Sequence, residues 1–143
     1  MKTRANNLIH HPEQVPVEIQ ALGYSEAYPG PVTGGCQGEL AVHCVSRFRV
    51  GAVVELHVPE LDAGTRLHGH VIWFHKAGHG YLVGISFYGE DEAFRMRMIE
   101  QLCHIEAYRK DVEIEQGRML TREEAAAEWI ARFSEDFPEV RPM

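Results

Sequence analysis

Cysteine is scarce in this chain: three in 143 residues, Cys36, Cys44 and Cys103, with no CxxC pair. Three thiols without that spacing form neither a disulfide framework nor a zinc signature, so a reduced, cytoplasmic protein is expected. Long apolar runs are missing too. Nothing approaches the roughly 20 residues that span a bilayer, and the basic start "MKTRANNLIHHPEQ" is followed by no apolar stretch, which excludes a signal peptide. No membrane insertion is expected. Positive charge is short as well, with 14 Lys and Arg against 21 Asp and Glu, a formal net of −7. A chain of that balance has no footprint for polyanions, so a nucleic-acid polymer is not an expected partner. The deficit is uneven: residues 1–89 hold six basic against seven acidic side chains, and residues 90–143 hold eight against fourteen. Arg4 is the sole arginine before residue 47.

What is present changes period near Gly89. Before it, short apolar runs alternate with polar residues and stop at glycine or proline, as strands do. "VPVEIQAL" sets Val15, Val17 and Ile19 on one face, "GELAVHCV" sets Leu40, Val42 and Cys44, and "AVVELHVP" sets Val54, Leu56 and Val58 before Pro59. "TRLHGHVIWFH" and "GYLVGISFY" follow, joined by "KAGHG". Five strands with no helix between them predict a small antiparallel barrel or sandwich.

From Glu90 the period is helical. Glu90, Asp91 and Glu92 are placed where acidic groups favour a helix N-terminus. Phe94, Met98, Leu102 and Ile105 form a stripe, with Ile99 and Cys103 beside it, that predicts the face laid against the barrel. The helix should stop before Gly117. Thr121 followed by Glu124 is a capping box that opens a second helix. Trp129, Ile130 and Phe133 give that second helix an apolar face, which either packs back, self-associates or docks a partner.

Catalytic patterns are wanting. Nine histidines invite a metal, and His68 and His70 share one strand face while His75 and His79 flank a turn, but none falls at HExxH or another ligand spacing. Solvent-facing strand histidines are the expectation, with no metal and no catalytic residue. His43 and Cys44 are adjacent on a strand and point to opposite faces, so they form no nucleophile–base pair; the cysteines read as small core hydrophobes. In "VTGGCQGEL" three glycines fall within five positions. A P-loop would continue into lysine and a helix. Here the segment leads into a strand, and a tight turn or bulge is predicted instead.

Taken in order, these segments resemble the PilZ domain family, whose members include receptors for the bacterial second messenger cyclic di-GMP. "GGCQGEL" looks like the family's Asp/Asn-x-Ser-x-x-Gly segment, "VGAVVELHVP" its Gly-x-x-Val-x-Leu-x-Ile-Pro strand, "HGHVIWFH" its Gly-x-Val-Val-Trp strand, and "GYLVGISF" its closing Gly-Val-x-Phe. The resemblance covers roughly residues 14–108 and implies a mainly β fold: a six-stranded antiparallel barrel with its covering helix over 14–115, an N-terminal segment over 1–13 and a helical extension over 118–143.

The ligand-reading residues depart from the family pattern. Family members that hold the dinucleotide use Arg-x-x-x-Arg before the first strand, whose guanidinium forks grip phosphate. His10 and Gln14 stand at those places, Thr33 at the Asp/Asn position and Gly35 at the Ser position, while Gly38 is kept. The resemblance therefore implies a degenerate nucleotide site of Arg4, His10, Gln14, Thr33, Gly35 and Gly38. It implies a non-catalytic adaptor of the cyclic di-GMP pathway type, without cofactor, acting on a bacterial protein partner or a second copy through Trp129, Ile130 and Phe133. The alternative is a working cyclic di-GMP receptor in which Arg4, Arg47 or Arg66 substitutes; a metal-dependent enzyme is the third.

Overall fold

The structure, a computed structural model, describes residues 8–24, 36–61 and 64–137. Six strands, β1 (Leu8–His10), β2 (Glu18–Tyr24), β3 (Cys36–Cys44), β4 (Ala52–His57), β5 (Leu67–Ala77) and β6 (Gly80–Tyr88), precede two helices, α1 (Glu90–Gln116) and α2 (Arg122–Phe133). The strands form one mixed sheet in the order β1-β3-β6-β5-β4-β2.

One expectation needs correction and another is met in part. The sheet is not closed into a barrel: β1 and β2 are its two edges, and β1 lies parallel to β3, Leu8 opposite Glu39 and His10 opposite Ala41. β1 is three residues long and pairs with β3 alone among the described strands. The mainly β expectation is met in part: six strands build the sheet, but α1, at 27 residues, and α2, at 12, give helix a large share of the fold. The fold is β+α. Leu8–His10 also shows that part of the supposed N-terminal segment 1–13 belongs to the sheet.

The strand alternation does what it should. Along β4 and the first half of β5 buried and less buried residues alternate, and Leu40, Val42, Val54, Leu56, Val71, Ile85 and Phe87 join one core. Ile9 of edge β1 and Ile19 of edge β2 pack on that same cluster, so both edges of the open sheet contribute to it. The stretch expected to start a strand at Val15 instead begins pairing at Glu18. Val15 is buried in a second cluster with Val58, Cys103 and Ala107, under α1.

Glycine answers two local demands. The β3–β6 register slips between Cys36 and Gly38, which is the predicted bulge. At Gly38 an added Cβ would be 3.1 Å from the Met96 methyl, so the missing side chain also lets α1 approach the sheet. Gly84 is opposite Trp73 across β5 and β6, and the indole covers it where a Cβ would stand. Gly84→Ala is expected to push Trp73 off the sheet at a cost of about 1–3 kcal/mol, the usual range for overpacking. Thermal unfolding and a red shift of tryptophan emission would read it; an unchanged melting temperature would show that the indole yields freely.

The helices begin and end where the sequence places them. α1 opens with Glu90, Asp91 and Glu92, and Gly117 caps it in the left-handed region (φ 70°, ψ 14°). α2 carries the complete Thr121–Glu124 capping box. The register of α1 differs from expectation. Phe94, Met98 and Leu102 are 51, 45 and 48 % exposed, while Ala93, Met96, Glu100, Cys103 and Ala107 face inward. The helix therefore meets the sheet through the face of Ala93, Met96, Glu100 and Cys103, with the Met96 methyl seated over Gly38.

Candidate functional site

Two neighbouring features meet where the chain after β1 passes beneath the helices. The first is a groove of about 500 Å³ between β1, α1 and α2. Its walls are largely apolar: Leu8, Ile9, Pro12, Ala107, Trp129, Phe133 and Phe137. Its polar lining comprises His10, Gln14, His104, Tyr108, Asp111 and Asp136.

His10 and Gln14, the positions matched to the family's arginine pair, do line this groove together. Gln14 is committed elsewhere. Its amide Nε2 donates to both oxygens of Asp111, at 3.0 and 3.1 Å, and its main-chain carbonyl accepts from Lys110 Nζ. The His10 carbonyl accepts from His104 Nε2 at 2.9 Å. Among the described residues no lysine or arginine lines the groove, whereas two aspartates do. Of the substitute arginines, Arg47 lies over the Phe74 ring and Arg66 pairs with Glu55 at 3.1 Å, and neither lines the groove. Gly38 is at the β3 bulge under Met96. Arg4, Thr33 and Gly35 lie outside the described residues.

The partner-facing residues divide. Trp129 is 4 % exposed, walled by Phe133, Phe137 and His104 at ring separations of 6.4, 5.5 and 6.5 Å. It cannot lead a docking surface, since α2 packs it back onto α1. Ile130 and Phe133 remain half-exposed. A polar clasp secures the other side of α2: Tyr108 donates to Glu128 at 2.7 Å, and Arg118 holds both Glu128 oxygens at 3.1 Å. The Arg118 bonds, with that from Tyr108, hold the Glu128 carboxyl down to about 2.

The second feature lies deeper. His11 is buried, with Nδ1 2.7 Å from Glu100 Oε2 and Nε2 2.6 Å from the Val15 carbonyl. A carbonyl only accepts, so Nε2 carries a proton; a carboxylate only accepts, so Nδ1 carries another, and the ring is an imidazolium. Burial opposes that charge, but the Glu100 hydrogen bond and charge, with the Val15 carbonyl, hold the His11 pKa above the ordinary histidine value. His104, one turn along α1 from Glu100, goes the other way: burial lowers its pKa despite the same carboxylate. The Cys103 thiol is pushed up by burial and by Glu100, and Cys44 is raised by burial to about 11. Neither is a ready nucleophile.

No sequence pattern points to this cluster, because His11 and Glu100 are 89 residues apart. One signal was available: a glutamate on the same helix face as Met96 and Cys103 must have a partner if that face is the buried one. The strand histidines behave as expected in part: His68 and His75 are exposed, His75 stacked on Trp73, with His70 less so.

No family model, curated protein or solved structure matches this chain. No helix among the described residues is long and apolar enough to cross a membrane.

Proposed function

We propose that this chain is a non-catalytic PilZ-like module of the cyclic di-GMP pathway type, acting by protein contact, with nucleotide binding weak or lost. The observation that carries the second half is the groove at His10 and Gln14, where Asp111 occupies Gln14 and, among the described residues, no lysine or arginine lines the wall. A dinucleotide would bring two phosphates against two aspartates. Support for an interaction role comes from α1: Phe94, Met98 and Leu102 turn half-exposed apolar side chains to solvent in a row. That face replaces Trp129 as the candidate contact, with Ile130 and Phe133 on α2.

Losing two bidentate charge-assisted contacts costs about 3–6 kcal/mol at roughly 1.5–3 each. Micromolar affinity then becomes about millimolar or weaker. Calorimetric titration at pH 7.5 should therefore show no saturable binding of cyclic di-GMP, and a dissociation constant of a few micromolar would overturn the reading. For the contact face, a photo-crosslinking side chain at position 98 should capture a protein in expressing cells, while one at Lys76, an exposed residue at the β5–β6 turn, should not. Equal capture at both positions, or none at 98, counts against the adaptor role.

A further inference from the structure

The His11 cluster holds more than an ion pair. Glu100 and Cys103 are one turn apart on the inward face of α1, and the chain after β1 brings His11 against both. One donor atom from each, an imidazole nitrogen, a carboxylate oxygen and a sulfur, lies within 4.8 Å of the other two. All three residues are buried. The imidazole is oriented as a ligating histidine is: Nε2–H is tied to the Val15 carbonyl, and Nδ1 is aimed at the carboxylate. Glu100 Oε1 is buried with no hydrogen-bond partner, a cost that a bound ion would remove. An adjoining cavity of about 330 Å³, lined by His11 with Glu13, Val15 and His43, supplies a route inward.

We propose that His11 Nδ1, the Glu100 carboxylate and the Cys103 thiolate bind a divalent transition-metal ion of the zinc class. The donor set is the mixed nitrogen, oxygen and sulfur kind that such ions take, and Oε1 or a water completes four-coordination. Charge is conserved in the buried volume. Without metal the cluster is an imidazolium, a carboxylate and a neutral thiol. Binding displaces the Nδ1 and thiol protons, and the dication then balances one carboxylate and one thiolate. The negative field of Glu100 that keeps the thiol protonated is what draws the cation. Glu60 adds a further negative charge that acts on Cys103, and His104, its pKa lowered by burial, adds no opposing one. The bound ion would tie the chain after β1 to the middle of α1, taking over the work of the His11–Glu100 bond.

The test is titration of the full, chelator-stripped chain with cobalt(II). The expected result is a thiolate-to-cobalt charge-transfer absorption saturating at one equivalent, bleached by zinc. It should come with a rise in melting temperature on the order of 10 °C when zinc is a hundredfold above its dissociation constant. Cys103→Ser should abolish the absorption and Cys44→Ser should keep it. No absorption from the folded wild-type chain overturns the proposal, whatever the variants do. So does cobalt uptake without the thiolate band, which would mark surface histidines, or a band that survives Cys103→Ser.

Discussion

Glu100→Ala, measured with chelator present, is expected to lower stability by about 3–5 kcal/mol, the cost of stranding one member of a buried charge pair. The magnitude follows from burial: the His11 and Glu100 side chains are 3 % and 2 % exposed, so water cannot replace the lost partner. The milder Glu100→Gln keeps the shape and isolates the charge. Because the folded pKa of His11 is raised, its contribution is fully present below the unfolded value of about 6.5 and is lost as pH rises through the folded one. The stability gap between wild type and Glu100→Gln should therefore be widest near pH 6 and narrow as pH rises. His104, with its lowered pKa, contributes the opposite slope, and that slope falls below pH 6.5, so the two windows separate. Denaturant unfolding from pH 5 to 9 reads both. A gap that stays constant across that range would mean that His11 is neutral throughout.

Trp129→Ala is expected to cost about 3–5 kcal/mol, the usual loss for a buried aromatic truncated to alanine. Against a total of roughly 5–15 kcal/mol for a domain, that lowers the melting temperature by on the order of 10 °C. Deletion after Gly117 should cost at least as much, because it also removes Ala125, which is fully buried, and the Tyr108–Glu128–Arg118 clasp. Ile130→Ala, at a half-exposed position on the same helix, should change little. If truncation left the melting temperature of the remaining chain unchanged, α2 would be a detachable docking arm and the contact at Trp129 would have no energetic weight.

The contrast between Trp129 and Ile130 shows where sequence reasoning reaches its limit. Adjacent apolar residues on one amphipathic helix read alike as a pattern, and only the position of α1 decides which is enclosed. The same limit applies to α1. Its apolar stripe is legible in the sequence, but helical spacing does not say which of two adjoining faces is covered. The buried face is that of Ala93, Met96, Cys103 and Ala107, with Met96 filling the space that Gly38 leaves open. With the register turned, Glu100 becomes a buried charge, and the site it forms with His11 follows.

The sequence by itself determined what depends on neighbours along the chain. The change from strand to helix period at Gly89, the stop at Gly117, the capping box at Thr121 and the alternation along β4 are all local free-energy preferences. The tertiary structure alone decided the rest. A three-residue β1 has no stability until β3 offers an edge, and its parallel pairing leaves the sheet open. His11, Glu100 and Cys103 have no shared periodicity, and they meet because the chain after β1 is carried under α1. Contacts of that kind come from packing between elements distant in sequence, which no local pattern encodes.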